Sequence, residues 1–180
     1  MTAVSTATDT QVYRVYIKAP AEKIWQAITD PEWTNRYGYT GYAQYDLKPG
    51  GALRVVPNDD FRTTASAGGW PCPDVIVDGE VQEADPPHRL VTTWRMLMDE
   101  AMKAEGFTTL TYEIRQLEGF CSLTVTHDLT GAPTLAAQVA GQMEHLGAGG
   151  GHPWVLSDLK SLLETGETLA GKSWVPDGTG

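Results

Sequence analysis

GHPWVLSDLKSLLETG, residues 151 to 166, reads as one strong amphipathic helix in a chain otherwise dominated by strand-like runs. Pro153 suits the first helical turn, where a missing N–H costs nothing, and Gly166 suits the left-handed residue that ends a helix. Between them Val155, Leu156, Leu159, Leu162 and Leu163 recur at helical spacing, while Ser157, Asp158, Lys160, Ser161 and Glu164 fall largely on the other side. One face is therefore expected to be buried. A helix of about 13 residues is ~20 Å long, roughly the length of a strand, so it can lie across a sheet and cover it.

Working outward, the run Gly147 to Gly151 breaks the chain before this helix, and it reads either as a hinge or gate or as an exposed connection. Pro133 to Leu146 carries only a partial apolar stripe and predicts a weaker helix. Further back, Cys121 to Leu129, Phe107 to Gln116, Leu90 to Met98 and Val75 to Ala84 read as four strands. Glu118-Gly119, the region around Lys103 to Gly106, and Asp85-Pro86-Pro87-His88 separate them, by connections short enough for antiparallel neighbours. Pro57 to Asp74 shows no sustained period and is expected to be a long irregular loop. Ala52 to Val56 and Tyr42 to Asp46 form a hairpin around Pro49-Gly50-Gly51. Asp30-Pro31-Glu32 starts a short helix, with an N-cap, a first-turn proline and an acidic first turn. Ala21, Ile24, Trp25 and Ile28 form the apolar stripe of another, and Gln11 to Lys18 is the first strand, with Tyr13, Val15 and Ile17 sharing one face.

Length and composition bound the function. The 180 residues are 41% hydrophobic and 20% charged, which fits one globular domain with its ordered core over about residues 11–170. A formal net charge of −10 argues against nucleic acid and anionic membranes as partners. No apolar run approaches the ~20 residues needed to span a bilayer, and the N-terminus lacks a basic start and an apolar core, so a cytoplasmic location is expected. Cys72 and Cys121 stand far apart, and His88, His145 and His152 are scattered without ligand spacing, so neither a metal nor a cofactor is expected. There is no G-x-S-x-G, no P-loop and no dinucleotide fingerprint.

The order strand, two short helices, six more strands and a terminal helix resembles the START-like (Bet v 1-like) or SRPBCC helix-grip fold, and within it the family named after the activator of Hsp90 ATPase (AHSA1-like). The resemblance is carried by APAEKIWQAITDPEW (19–33), DLKPGG (46–51), GEVQEADPPHRLVTTW (79–94), LTVTHD (123–128) and HPWVLSDLKSLLETG (152–166). It implies an α+β architecture in which a curved antiparallel sheet of about seven strands wraps the C-terminal helix, with an apolar pocket between the two. The fold supplies a scaffold for many chemistries rather than one.

Strand alternation then selects the residues that face the helix. Leu110, Tyr112 and Ile114 share one parity, as do Leu123, Val125 and His127, and Leu90, Thr92, Trp94 and Met96 follow the same rule. His127 ends an apolar strand face with a titratable ring. It either orients a carbonyl or phenol and shuttles a proton, or is a core histidine bonded to backbone. Tyr112 carries the same two readings. Trp25, Trp94 and Trp154 are walls of a pocket or plain core, and Leu159 meets the sheet from the helix. The ligand-binding set is thus Trp25, Trp94, Leu110, Tyr112, Leu123, Val125, His127, Trp154 and Leu159, with no catalytic residue assigned.

Three functions compete: binding of a small hydrophobic, aromatic or lipid-like ligand; a polyketide cyclase or aromatase-like enzyme; and a co-chaperone or protein-interaction module of the kind the family name implies. A homodimer stays open. The ligand is expected to enter between the 57–74 segment and the glycine run.

Overall fold

The computed structural model describes residues 9–146 and 149–169. Its strands are β1 (Thr10–Ile17), β2 (Tyr42–Tyr45), β3 (Ala52–Val56), β4 (Val77–Asp85), β5 (Arg89–Met96), β6 (Thr108–Gln116) and β7 (Cys121–Asp128). Its helices are α1 (Ala21–Thr29), α2 (Pro31–Thr34), α3 (Asp59–Gly68), α4 (Glu100–Glu105), α5 (Pro133–Val139) and α6 (Gly151–Thr165), with a 3-10 turn at Glu144–Leu146. The seven strands form one antiparallel sheet in the order β1-β7-β6-β5-β4-β3-β2. A register shift between Val81 and Glu83 marks a bulge, which bends the sheet. This is the α+β helix-grip architecture.

The apolar faces meet as their periodicities require. Ile17, Leu90, Leu110, Ile114, Leu123 and Val125 from the sheet bury against Ile24 and Ile28 of α1 and Leu156, Leu159 and Leu162 of α6. Gly166 ends α6 at φ 81°, a conformation that glycine adopts at no steric cost. In α2 the Asp30 carboxylate accepts the Glu32 N–H at 2.9 Å, and Pro31 takes the first turn. A second, smaller core joins Met102, Leu129, Ala132, Leu135 and Val139.

Four expectations need correction. The 57–74 segment is not an irregular loop, because it contains α3: Asn58 caps it by accepting the Phe61 N–H at 2.7 Å, Asp59 and Asp60 load its first turn, and Gly69 ends it at φ 71°. Only Ala65 of α3 is buried, so no apolar stripe announces the helix. The connection near Lys103 holds α4, capped by Asp99 accepting from Met102 N at 2.9 Å. The weaker helix stops at Val139, earlier than Leu146. Asp158 does not face solvent: it is 1% exposed and accepts backbone N–H groups from Gly38 at 2.8 Å and Leu169 at 2.7 Å. A carboxylate among backbone donors can be buried where one aimed at a hydrocarbon wall cannot.

Of the glycine run, Gly147 and the one interrupting residue, Ala148, lie outside the described residues. At its described end the run is tightly packed. A Cβ on Gly149 would strike the Tyr39 ring, and one on Gly151, which sits at φ 67°, would strike the Val139 carbonyl. The Gly151 N–H also donates to the Tyr39 hydroxyl at 2.7 Å, which pins the start of α6. Among the described residues no helix is long and apolar enough to cross a membrane.

Candidate functional site

Strand register places His127 opposite Leu110 on one side and Gln11 on the other, and Leu110 opposite Thr92. These residues form one row across the inner face of the sheet. Two residues along, Tyr13, Val125, Tyr112 and Leu90 form the next. The parity rule therefore holds for the strand residues of the expected set. Leu110, Leu123, Val125 and, from α6, Leu159 are core residues, and Trp25, Tyr112 and Trp94 are partly buried against them. Trp94 also touches the second core. Trp154 packs in neither cluster, and its indole N–H has no partner among the described residues. The hydroxyl of Thr92, 1% exposed, is likewise unpartnered among them.

His127 is fully buried, and the group that meets it is one the spacing argument sets aside. His152, in the first turn of α6, brings its Nε2 to 3.1 Å from His127 Nδ1, with the two ring centroids 5.4 Å apart. On the far side His127 Nε2 lies 2.8 Å from the Thr108 hydroxyl. Trp94 presents an edge to His127 at 5.7 Å, and Tyr13 lies 5.3 Å from the His152 ring. His152 therefore does not belong with the scattered histidines. It is 25 residues from His127 on a different element, and only the seating of α6 on the sheet brings them together. Thr108 shares the parity of Leu110 and Tyr112, so its inward direction is readable from the strand.

The corner is electrically neutral. Desolvation by burial lowers the His127 pKa to about 3, helped by the neighbouring His152, and burial alone lowers that of His152 to about 4. Both rings are uncharged near neutral pH. Farther along the interior, burial raises the Tyr112 phenol to about 12, and it pushes Tyr37 and Tyr45 up as well. Tyr37 donates to the Ala27 carbonyl at 2.9 Å. The interior between sheet and α6 is thus mostly apolar, with imidazole at one end and phenols farther on, and these rings can hydrogen-bond without offering a charge. Two shallow surface concavities, of about 480 and 420 Å³, lie elsewhere. One is on the outer face beside Arg14, Arg89 and Arg115, the other beside Tyr16 and Phe120. Among the described residues no group of three or more His, Cys, Asp or Glu side chains is placed to hold a metal ion.

Solved structures with the same architecture include Ms6760 from Mycobacterium smegmatis, with 20% identity, TM-score 0.60 and coverage of 88% of this chain and 92% of that one. The Aha1 dimer from Colwellia psychrerythraea gives 18% identity and TM-score 0.58 over 87% and 97% of the two chains. CalU16 from Micromonospora echinospora gives 19% identity and TM-score 0.53 over 76% and 69%. At these identities the likeness establishes the fold alone. No curated protein matches the chain. The family model described as Activator of Hsp90 ATPase homolog 1-like protein matches residues 18–164, from the end of β1 to the last turn of α6, and the chain belongs to that family.

Proposed function

We propose that the chain binds a small apolar ligand, aromatic or lipid-like, between the sheet and α6, with the His127–His152 corner supplying its polar contact. The observation that carries this reading is an uncharged polar corner set in an apolar interior, flanked by the Tyr13 and Trp94 rings. An apolar site with a few placed polar groups is the usual form of a small-molecule site. Burying ~200 Å² of ligand surface at ~25 cal/mol per Å² supplies about 5 kcal/mol before ordering costs, so no ion pair is required.

The cyclase or aromatase reading comes second. General acid–base catalysis is most effective when the catalytic pKa lies near the working pH, and imidazoles at about 3 and 4 are weak bases and are not acids at neutrality. A homodimer remains a proposal; in its support, Val12, Tyr16 and Phe120 are exposed beside the edge strand β1, and the Aha1 relative from Colwellia is a dimer.

Titrating the protein with a panel of aromatic and fatty compounds, while following tryptophan emission at low and high ionic strength, tests the binding reading. Saturable binding that salt leaves unchanged is expected. His127→Ala should weaken a hydroxylated ligand by about 1 to 3 kcal/mol. Failure of every apolar compound, with steep salt-dependent binding of a charged one, would move the site to the charged surface.

A further inference from the structure

The hydrogen-bond pattern fixes which way the corner is polarised. The Thr108 hydroxyl donates its one proton to the Trp94 carbonyl at 2.9 Å, so toward His127 it can only accept. His127 therefore carries its proton on Nε2. Its Nδ1 is then a lone pair, and the 3.1 Å contact requires His152 to donate from Nε2. His152 Nδ1 is left as an acceptor, and it has no partner among the described residues.

A second chain beside it runs the same way. The Tyr13 hydroxyl donates to Gln11 Oε1 at 2.6 Å, and Gln11 Nε2 donates to the Ala136 carbonyl at 2.9 Å. Both chains end on a backbone carbonyl that cannot give a proton back. Both therefore leave lone pairs, on His152 Nδ1 and on the Tyr13 oxygen, on two rings whose centroids lie 5.3 Å apart.

We infer that the ligand is a hydrogen-bond donor, an aromatic or enolic hydroxyl (or an equivalent N–H), received by His152 Nδ1 beside the Tyr13 ring. Ketones, ethers and esters of the same shape are discriminated against, since two lone pairs would face each other. This rests on the ligand-binding reading above and narrows it to a chemical class. Thr108 is a positioning residue in this scheme, acting through the tautomer of His127.

The test uses three matched probes on the full-length chain: 2-naphthol, 2-methoxynaphthalene and naphthalene. Wild type should bind the naphthol about tenfold more tightly than the ether, the value of roughly one hydrogen bond. His152→Phe should abolish that preference while still binding naphthalene. Thr108→Val releases the tautomer lock and should shrink or invert the preference. Equal affinity for all three probes would overturn the inference and leave ligand binding intact, whereas no binding of any probe would sink both. Nitrogen-15 NMR of the imidazoles in wild-type protein needs no ligand: both rings should be protonated at Nε2, and a proton on Nδ1 of either would overturn the scheme.

Discussion

Acidifying the protein from about pH 7.5 to about pH 5 should cost it roughly 3 to 4 kcal/mol of folding stability, well before carboxylates protonate. In the folded state His127 and His152 titrate at about 3 and 4, below the ordinary imidazole value of 6.5. Below about pH 6.5 the unfolded chain takes up a proton on each ring that the folded chain refuses, so stability is complete above about pH 7 and falls as the pH drops toward the folded values. Each ring contributes about 1.4 kcal/mol per pH unit inside that window. His152 keeps a partly exposed edge, so its share is the smaller. Urea unfolding at a series of pH values measures the slope, and His152→Phe should reduce it. The carboxylates of Asp128 and Glu164, whose pKa values are held down mainly by bonds from Thr130 and Lys160, add their own loss only at lower pH. A stability that stays flat between about pH 7 and pH 5 would contradict the burial of the pair.

Asp158→Ala should be comparably damaging, at about 2 to 5 kcal/mol. The side chain is buried on α6 and holds the Gly38 and Leu169 N–H groups, so its removal strands two donors and unties the segment before β2 from the last helix. Asp158→Asn should cost less, since the amide oxygen can still accept from one donor, although the amide nitrogen then faces the other. Ser157→Ala, next to it but exposed, is the control and should stay within about 0.5 kcal/mol of wild type. If Asp158→Ala unfolds at the same urea concentration as that control, the carboxylate is not the anchor described.

The seven strands, α1 and α6 are legible in the sequence because each buries a face, and burial writes its period into the chain, while α2, which buries no residue, is legible from Asp30-Pro31-Glu32 at its start. Strand limits match the expectation to within two residues. The two helices that the sequence reading does not expect, α3 and α4, bury one residue each, Ala65 and Met102. Their caps do announce them: Asn58 before Asp59-Asp60 and Asp99 before Glu100 are start signals, and Gly69 and Gly106 follow as stops. Parity gives the direction of Thr108 and His127. The partner of His127 is beyond sequence reasoning, because it depends on how α6 is seated, and that is set by Gly151 against Val139 and by Tyr39. Asp158 escapes the helical pattern for a related reason. Its donors come from Gly38 and Leu169, both outside α6.

The pairing of β1 with β7 sets the timing of assembly. Thr10 lies opposite Asp128 and Ile17 opposite Cys121, so β1 has no sheet partner until β7 has been made. During synthesis the β1 segment leaves the ribosome with Tyr13, Val15 and Ile17 uncovered and no hydrogen-bonded neighbour. Long-range closure of this kind is slow, and unpaired strands recruit one another. Nascent chains halted before residue 121 should therefore be more aggregation-prone than chains that include β7, and the His127–His152 corner, which needs α6 as well, forms only after that helix is made.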